Sequence, residues 1–230
     1  MTTLSDDEMY STIVDGTHHV LEFAKTCGAK RILFTSSGAV YGPQIVTVDE
    51  NAPTHPTTAY GRGKLEAEKM CVDSGIPTLI ARCFAFTGPH LNRHIHFAIG
   101  NFIQNCLDNE PIVIKGDGTP LRSYLYADDL VEWLFAILDR GEPGRPYNVG
   151  SPKGLSISEL AETVRSALDT QNDIIVQGAP SQKPCASRPP STYVPVTSRA
   201  ESELGLRVTV PLAEAIRLSA TQSKLVYDKA

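Results

Sequence analysis

The chain has 230 residues and a formal net charge of −5, with 41% hydrophobic and 20% charged residues, a balance typical of a globular protein and not of a disordered one. An acidic chain without a lysine and arginine cluster is a poor match for nucleic acid, and no apolar run approaches the roughly 20 residues that cross a bilayer. The acidic, polar N-terminal stretch is unlike a secretory signal, so we expect a cytoplasmic protein.

The cysteines and histidines give no firm metal site. The five cysteines are scattered and odd in number, and without a paired spacing we expect reduced, mostly buried thiols. His94 and His96 flank Ile95 and could share a metal on a strand, but no third ligand is visible. Ordinary surface histidines are the simpler interpretation, and no metal is predicted.

The first half of the chain alternates between helix and strand. Apolar spacing predicts a helix over residues 9–24. Residues 31–35 form a continuous apolar run, typical of a buried strand in a parallel sheet and not of a half-exposed edge. A helix follows over 59–71 and a second buried strand over 76–84. This alternation indicates an α/β fold.

The second half is less regular. Its predicted elements are a helix over 97–107, a strand over 112–114, an extended piece over 122–126, and helices ending near 138, 168 and 219. We expect Asp129 to cap the helix that ends near 138. Ser156 and Glu159 have the spacing of a capping box for the next helix. Residues 171–195, rich in proline, predict a loop-rich lobe.

The residues with chemical potential lie where the first strand ends and the next helix begins. Ser37 closes the strand, and Tyr60 and Lys64 stand four apart, so both would project from one helical face,. An ammonium near a phenol lowers the pKa of the phenol, and a serine hydroxyl can hydrogen-bond a substrate oxygen. Ligands of open α/β sheets bind at the carboxyl ends of the strands. The three side chains therefore predict a proton relay for oxidising an alcohol or reducing a carbonyl.

Tyrosine and lysine at this spacing also occur by chance on solvated helices. Here they follow a predicted buried strand that ends in TSSGAVYG, a combination that favours the catalytic interpretation.

On these motifs the chain resembles the extended short-chain dehydrogenase/reductases, the NAD-dependent family of NDP-sugar epimerases, dehydratases and decarboxylases. The matching segments are 14–24, the SSxxVYG strand and turn 31–42, YxxxK at 60–64, the RxFNxxGP-like 82–89, the GDGxxxRDY-like 116–124, YNVG at 147–150, and RP…LG at 188–205. The resemblance covers nearly the whole chain.

The resemblance implies roles for six residues. Ser37, Tyr60 and Lys64 would be catalytic, with Ser37 also touching the substrate. Tyr60, Lys64 and Phe84 would contact the nicotinamide end of NAD. Arg122 and Arg188 would clamp the diphosphate of a nucleotide sugar, for which two guanidinium groups have suitable charge and geometry. Outside the family context, either arginine would be interpreted as an ordinary surface charge.

The main departure from the family pattern concerns NAD. No strand followed by GxxGxxG precedes Ser37, although that glycine turn brings the NAD pyrophosphate onto a helix N-terminus,. By resemblance, the first two or so βαβ units, each of about 30 residues, are absent. Three explanations are open: a truncated chain, a half supplied by a second polypeptide, or a decayed relative.

Smaller departures affect substrate contacts. Ile13, Ala85 and Ser123 replace polar residues of the family, namely two asparagines and an aspartate. Gly38 and Ala39 stand where 4,6-dehydratases and decarboxylases of the family carry an acid. Without that acid the turn resembles those of epimerases and keto-sugar reductases.

We therefore expect an α/β fold with an incomplete Rossmann-type parallel sheet and a small mixed C-terminal substrate lobe. Residues 1–90 would hold the catalytic residues, and 91–230 the sugar-nucleotide lobe, interleaved with the last Rossmann elements at about 123–150. The leading hypothesis is an NDP-sugar epimerase-like oxidoreductase. A keto-sugar reductase or dehydratase is the chemical alternative, and a non-catalytic sugar-nucleotide-binding remnant is the alternative of another class. A homodimer through helices 9–25 and 59–70, or a complementing N-terminal half, would be the protein partner.

Overall fold

The computed structural model describes residues 4–91, 93, 97–178 and 190–227, with side chains to residue 221. Its helices are α1 (Asp6–Thr26), α2 (Ala59–Asp73), α3 (Ala98–Leu107), α4 (Ala127–Arg140), α5 (Ile157–Ala167), α6 (Ser198–Leu204) and α7 (Leu212–Tyr227). Its strands are β1 (Ile32–Ser37), β2 (Thr78–Cys83), β3 (Phe86–Thr87), β4 (Ile112–Ile114), β5 (Leu121–Arg122), β6 (Leu125–Tyr126), β7 (Pro146–Val149), β8 (Leu155–Ser156), β9 (Ile174–Val176) and β10 (Thr192–Tyr193). A 3-10 turn covers Gly38–Tyr41.

The main sheet has three parallel strands in the order β1-β2-β7. β2 lies in the centre and is buried along nearly its whole length. Alternate residues of β2 face opposite sides, so Leu79 and Ala81 join a core with α4, while Arg82 points toward α2. The α/β class and the incomplete Rossmann-type parallel sheet are as expected from the sequence.

The prediction that the first strand is buried on both sides was wrong. Within the described residues β1 pairs with β2 alone, so it forms an edge of this sheet. Ile32, Leu33 and Phe34 are only half-buried, and Thr35 is exposed. An apolar strand is suited to a position between two other strands. In the described part of the chain, however, β1 has a neighbouring strand on one side only.

A second core supports the C-terminal lobe. It joins α3, α5, α7 and β4 through buried side chains such as Ile99, Ile112, Leu160 and Ile216. Around it lie short strand pairs of both directions: β10 runs parallel to β5, whereas β5 and β8 are antiparallel. The small mixed lobe is therefore confirmed.

Two details of the predicted helices changed and one held. Asp129 does not cap α4, which has Tyr126 at its N-cap; the buried Asp129 carboxylate instead accepts hydrogen bonds from Thr209 and Val210. The seven-residue helix α6 was not predicted. The Ser156 capping box is present at the start of α5. Among the described residues, no helix has both the length and the apolar character needed to cross a membrane.

Candidate active site

A cleft of about 600 Å³ opens at the carboxyl ends of β1 and β2, the position at which open α/β sheets bind ligands. It brings together four residues singled out in the sequence: Ser37, Tyr60, Phe84 and Arg122.

Ser37 is the last residue of β1 and is buried, with 6% of its surface exposed. It faces Cys83 across the parallel pair of strands. Its Oγ accepts a hydrogen bond from the Ala39 backbone N–H at 3.1 Å, because Ser37 caps the 3-10 turn. The hydroxyl is thus held at the floor of the cleft by backbone geometry.

Tyr60 and Lys64 lie on the first two turns of α2. The N-cap residue of this helix is Thr58, whose side chain accepts a hydrogen bond from the Gly61 N–H. Tyr60 is 39% exposed and lines the cleft. The Lys64 Nζ lies 5.9 Å from the Tyr60 ring centroid and donates to the Thr35 carbonyl at 2.9 Å. Burial lowers the pKa of Lys64, since desolvation disfavours its charged form,. Lys64 thus lies close to the phenol, but it is not among the residues that line the cleft.

Phe84 follows β2 and is buried. Its ring lies between those of Tyr41 and Tyr193, at centroid distances of 6.3 Å and 4.7 Å. Its backbone N–H donates to the Val149 carbonyl, which ties the end of β2 to β7. The Phe84 and Tyr193 rings form part of the cleft wall.

The sequence analysis missed Tyr193. Its Oη lies 3.4 Å from the Ser37 Oγ, and burial raises the pKa of its phenol to about 12. The parallel pairing of β10 with β5 places Tyr193 opposite Arg122. Arg122 and Tyr193 are 71 positions apart in the sequence, and β10 has only two residues, so no local periodicity pointed to Tyr193. The available signal was an aromatic residue between the RP and LG motifs.

Arg122 places a positive charge in the wall of the cleft. It is half-buried, and its Nη1 donates to the carbonyls of Leu121 at 2.7 Å and Ser191 at 3.2 Å. Arg188, its predicted partner in the diphosphate clamp, lies outside the described residues, as do His94, His96 and Cys185. The structure therefore brings together one arginine with the Ser37 and Tyr60 hydroxyls.

The positions that depart from the family pattern have definite surroundings. Ala85 adds an apolar contact to the cleft wall. Ile13 packs on α2, where a β-carbon at Gly63 would lie 3.3 Å from it. Ser123 is fully buried, and its Oγ has no hydrogen-bond partner in the described part of the chain.

Gly38 has no room for a side chain. A β-carbon there would lie 2.7 Å from the Phe84 Cζ and 2.9 Å from the Tyr193 Oη, distances below van der Waals contact. The aromatic stack thus fills the space that a side chain at this position would need.

Comparison with known proteins agrees with this architecture. The family model described as NAD dependent epimerase/dehydratase family matches residues 2–150, and the chain belongs to that family. UDP-glucuronic acid decarboxylase 1 of Arabidopsis thaliana is 33% identical over 215 residues, which are 89% of this chain and 48% of that protein. The chain thus spans about half the length of that curated relative.

Solved structures share the fold. UDP-glucose 4-epimerase from Thermotoga maritima, solved with UDP-glucose, superposes with a TM-score of 0.83 at 22% identity, over 95% of this chain and 71% of that one. dTDP-glucose 4,6-dehydratase from Bacillus anthracis, solved with NAD, gives 0.83 at 19% identity, over 98% and 72%. The relatives are nucleotide-sugar enzymes of an NAD-dependent family, as the sequence motifs implied.

Proposed function

We propose that this chain carries the catalytic centre of an epimerase-like oxidoreductase that acts on a nucleotide-diphosphate sugar. The observation that carries the proposal is the shared cleft, where two hydroxyls, Ser37 and Tyr60, and one guanidinium, Arg122, face the same space. Tyr60, acting as the phenolate, takes the proton from a sugar hydroxyl while Ser37 hydrogen-bonds the same oxygen and the hydride passes to NAD. Arg122, with Arg188, binds the diphosphate.

The residues present fit the nicotinamide end of NAD. Lys64 would hold the ribose. Its ammonium group has three donors, and the Thr35 carbonyl accepts from one of them, so the others could bind the ribose hydroxyls. The buried ring of Phe84 offers a flat surface beside it. NAD, when bound, supplies the acceptor and the donor of hydride. The pyrophosphate end has no counterpart, since the 230 residues contain no GxxGxxG turn,.

The cleft favours epimerisation or keto-sugar reduction over dehydration. No carboxylate lines it among the described residues, and the packing at Gly38 leaves no space for one from that position. Elimination of water needs an acid to protonate the leaving group.

The test starts from the purified chain. Nucleotide released on denaturation is identified by chromatography, and the native chain is then incubated with NAD and either UDP-glucose or UDP-glucuronic acid. We expect a C4 epimer by NMR, with Tyr60→Phe and Ser37→Ala each lowering the rate at least about 100-fold. Glu66→Gln, an exposed change on the same helix, is the matched control.

Other products would identify the alternatives. A pentose product would overturn the proposal in favour of decarboxylation. Stoichiometric reduction of NAD with accumulation of a keto sugar, which is the reverse of keto-sugar reduction, would indicate a keto-sugar reductase. Binding of the nucleotide sugar without NAD binding or turnover would support the non-catalytic remnant, which the missing glycine turn favours.

The remaining expectations are part of the same proposal. Residues 1–90 would supply catalysis and 91–230 the substrate lobe, with 123–150 belonging to the sheet. A homodimer through α1 and α2, or a complementing N-terminal half, is the proposed protein partner, and the cytoplasm is the proposed location.

A further inference from the structure

Glu68 continues the series that carries the proposed chemistry. Tyr60, Lys64 and Glu68 stand four residues apart on α2 and so share one face of the helix,. The Tyr60 side chain reaches the cleft, whereas Glu68 is buried, with 5% of its surface exposed. A buried carboxylate is costly unless charge and hydrogen bonds compensate it.

Both oxygens of Glu68 are used. Oε1 accepts hydrogen bonds from the Ser36 hydroxyl and, at 3.0 Å, from the Arg82 Nε, and Oε2 accepts from the Arg82 Nη2 at 2.8 Å. Ser36 and Arg82 are paired across β1 and β2. One carboxylate thus ties α2 to two neighbouring strands, one residue before Ser37 and two before Phe84.

The same network reaches the other side of Ser37. The Arg82 Nη1 donates to the Tyr41 hydroxyl at 3.1 Å, and this hydroxyl donates to the Asn148 Oδ1 at 2.8 Å. The guanidinium also lies 4.9 Å from the Tyr41 ring centroid. Because Tyr41 ends the 3-10 turn that Ser37 begins, the network holds the backbone on both sides of that serine.

We infer that Glu68 is a positioning residue: through Ser36 and Arg82 it fixes the orientation of the Tyr60 phenol relative to the Ser37 hydroxyl. This inference rests on the proposed function, since the orientation of Tyr60 toward Ser37 matters for catalysis only if both residues act in the reaction. Ion-pair hydrogen bonds constrain both distance and angle, whereas apolar contacts are non-directional. A buried ion pair can often be replaced by apolar residues without loss of stability, so stability alone does not require Glu68.

The experiment separates position from stability. The full chain is produced with 3-fluorotyrosine, and the Tyr60 resonance is assigned by 19F NMR from its loss in Tyr60→Phe. The double variant Glu68→Leu/Arg82→Met removes the ion pair at similar volume, and Ser36→Ala removes one hydrogen bond and keeps the pair. Glu66→Gln is the control, because Glu66 forms an exposed ion pair with Lys69 on the same helix.

We expect the Tyr60 resonance to shift or broaden in the double variant, and less in Ser36→Ala, while Glu66→Gln matches the wild type and the Tyr147 resonance stays in place. If the double variant does not fold, the Tyr60 resonance of Ser36→Ala alone tests the inference: a shift or broadening supports it. A Tyr60 resonance identical to the wild type in the folded variants would overturn the inference.

The NMR readout needs no turnover, so it is independent of the proposed function. If the chain is active, the double variant should lower kcat about 10- to 100-fold with little change in KM. An unchanged kcat in the folded double variant would also overturn the inference.

Discussion

Gly38→Ala tests the packing on which the functional assignment depends. The added β-carbon would lie 2.7 Å and 2.8 Å from two ring atoms of Phe84 and 2.9 Å from the Tyr193 Oη. Phe84 is 5% exposed and has Tyr41 on its other side, so it has little freedom to withdraw. Overpacking of this kind costs about 1–3 kcal/mol.

Part of that cost is offset in the unfolded state. Alanine restricts the unfolded chain more than glycine does, which stabilises the folded state by about 0.4–1 kcal/mol. The net loss should be about 0–2.6 kcal/mol. For a chain of this size, the melting temperature should fall by up to about 10 °C.

The assay is urea unfolding followed by circular dichroism, with Gly16→Ala as the control. Gly16 lies inside α1, and no atom would lie within 4 Å of its added β-carbon, so this change should stabilise the chain by up to about 1 kcal/mol. Tyr193→Ala should reduce the penalty of Gly38→Ala, because the Phe84 ring could then move aside. Equal effects of the two glycine substitutions would refute the reasoning.

Three further predictions concern stability. Burial raises the pKa of Tyr124 to about 12. A raised pKa adds stability that is fully present below the ordinary value near 10 and is lost as pH rises to 12, so Tyr124 contributes up to about 1.4 kcal/mol per pH unit to the fall of the unfolding free energy in that window, and Tyr124→Phe should remove this contribution. Tyr193, whose pKa is also raised to about 12, contributes a fall of its own in both proteins. Asp129→Asn should lower the free energy of unfolding in urea by about 2–3 kcal/mol, and Thr209→Ala by about 1 kcal/mol. The carboxylate accepts hydrogen bonds from both the backbone and the hydroxyl of Thr209, and Thr209→Ala removes only the second. Equal losses in the two variants would contradict this. Ser156→Ala should cost about 1 kcal/mol by removing the capping box of α5, and an unchanged melting temperature would exclude that contribution,.

Local patterns in the sequence were sufficient for most of the architecture. Apolar spacing predicted α1, and helices were also predicted at the positions of α2 and α3. The segment 76–84 was predicted as a buried strand, which is β2. Each of these signals depends on neighbours along the chain. The spacing of Tyr60 and Lys64 likewise predicted that both side chains project from one helical face.

Features that depend on distant residues could not be predicted in this way. Tyr193 reaches Ser37 across 156 positions through a two-residue strand. The interaction of Asp129 with the loop at 209–210 replaced a predicted cap, because a buried carboxylate bonds the donors that tertiary packing brings to it,. The edge position of β1 follows from which strands the chain supplies and not from the composition of β1 itself.

The sequence alone determined the α/β class, the element that carries each candidate catalytic residue and the family, since these are encoded in short stretches. The tertiary structure decided which side chains share the cleft, that an aromatic stack occupies the space beside Gly38, and that Glu68 ties α2 to two strands. Such juxtapositions arise when elements distant in the chain pack together, and local periodicity carries no information about them.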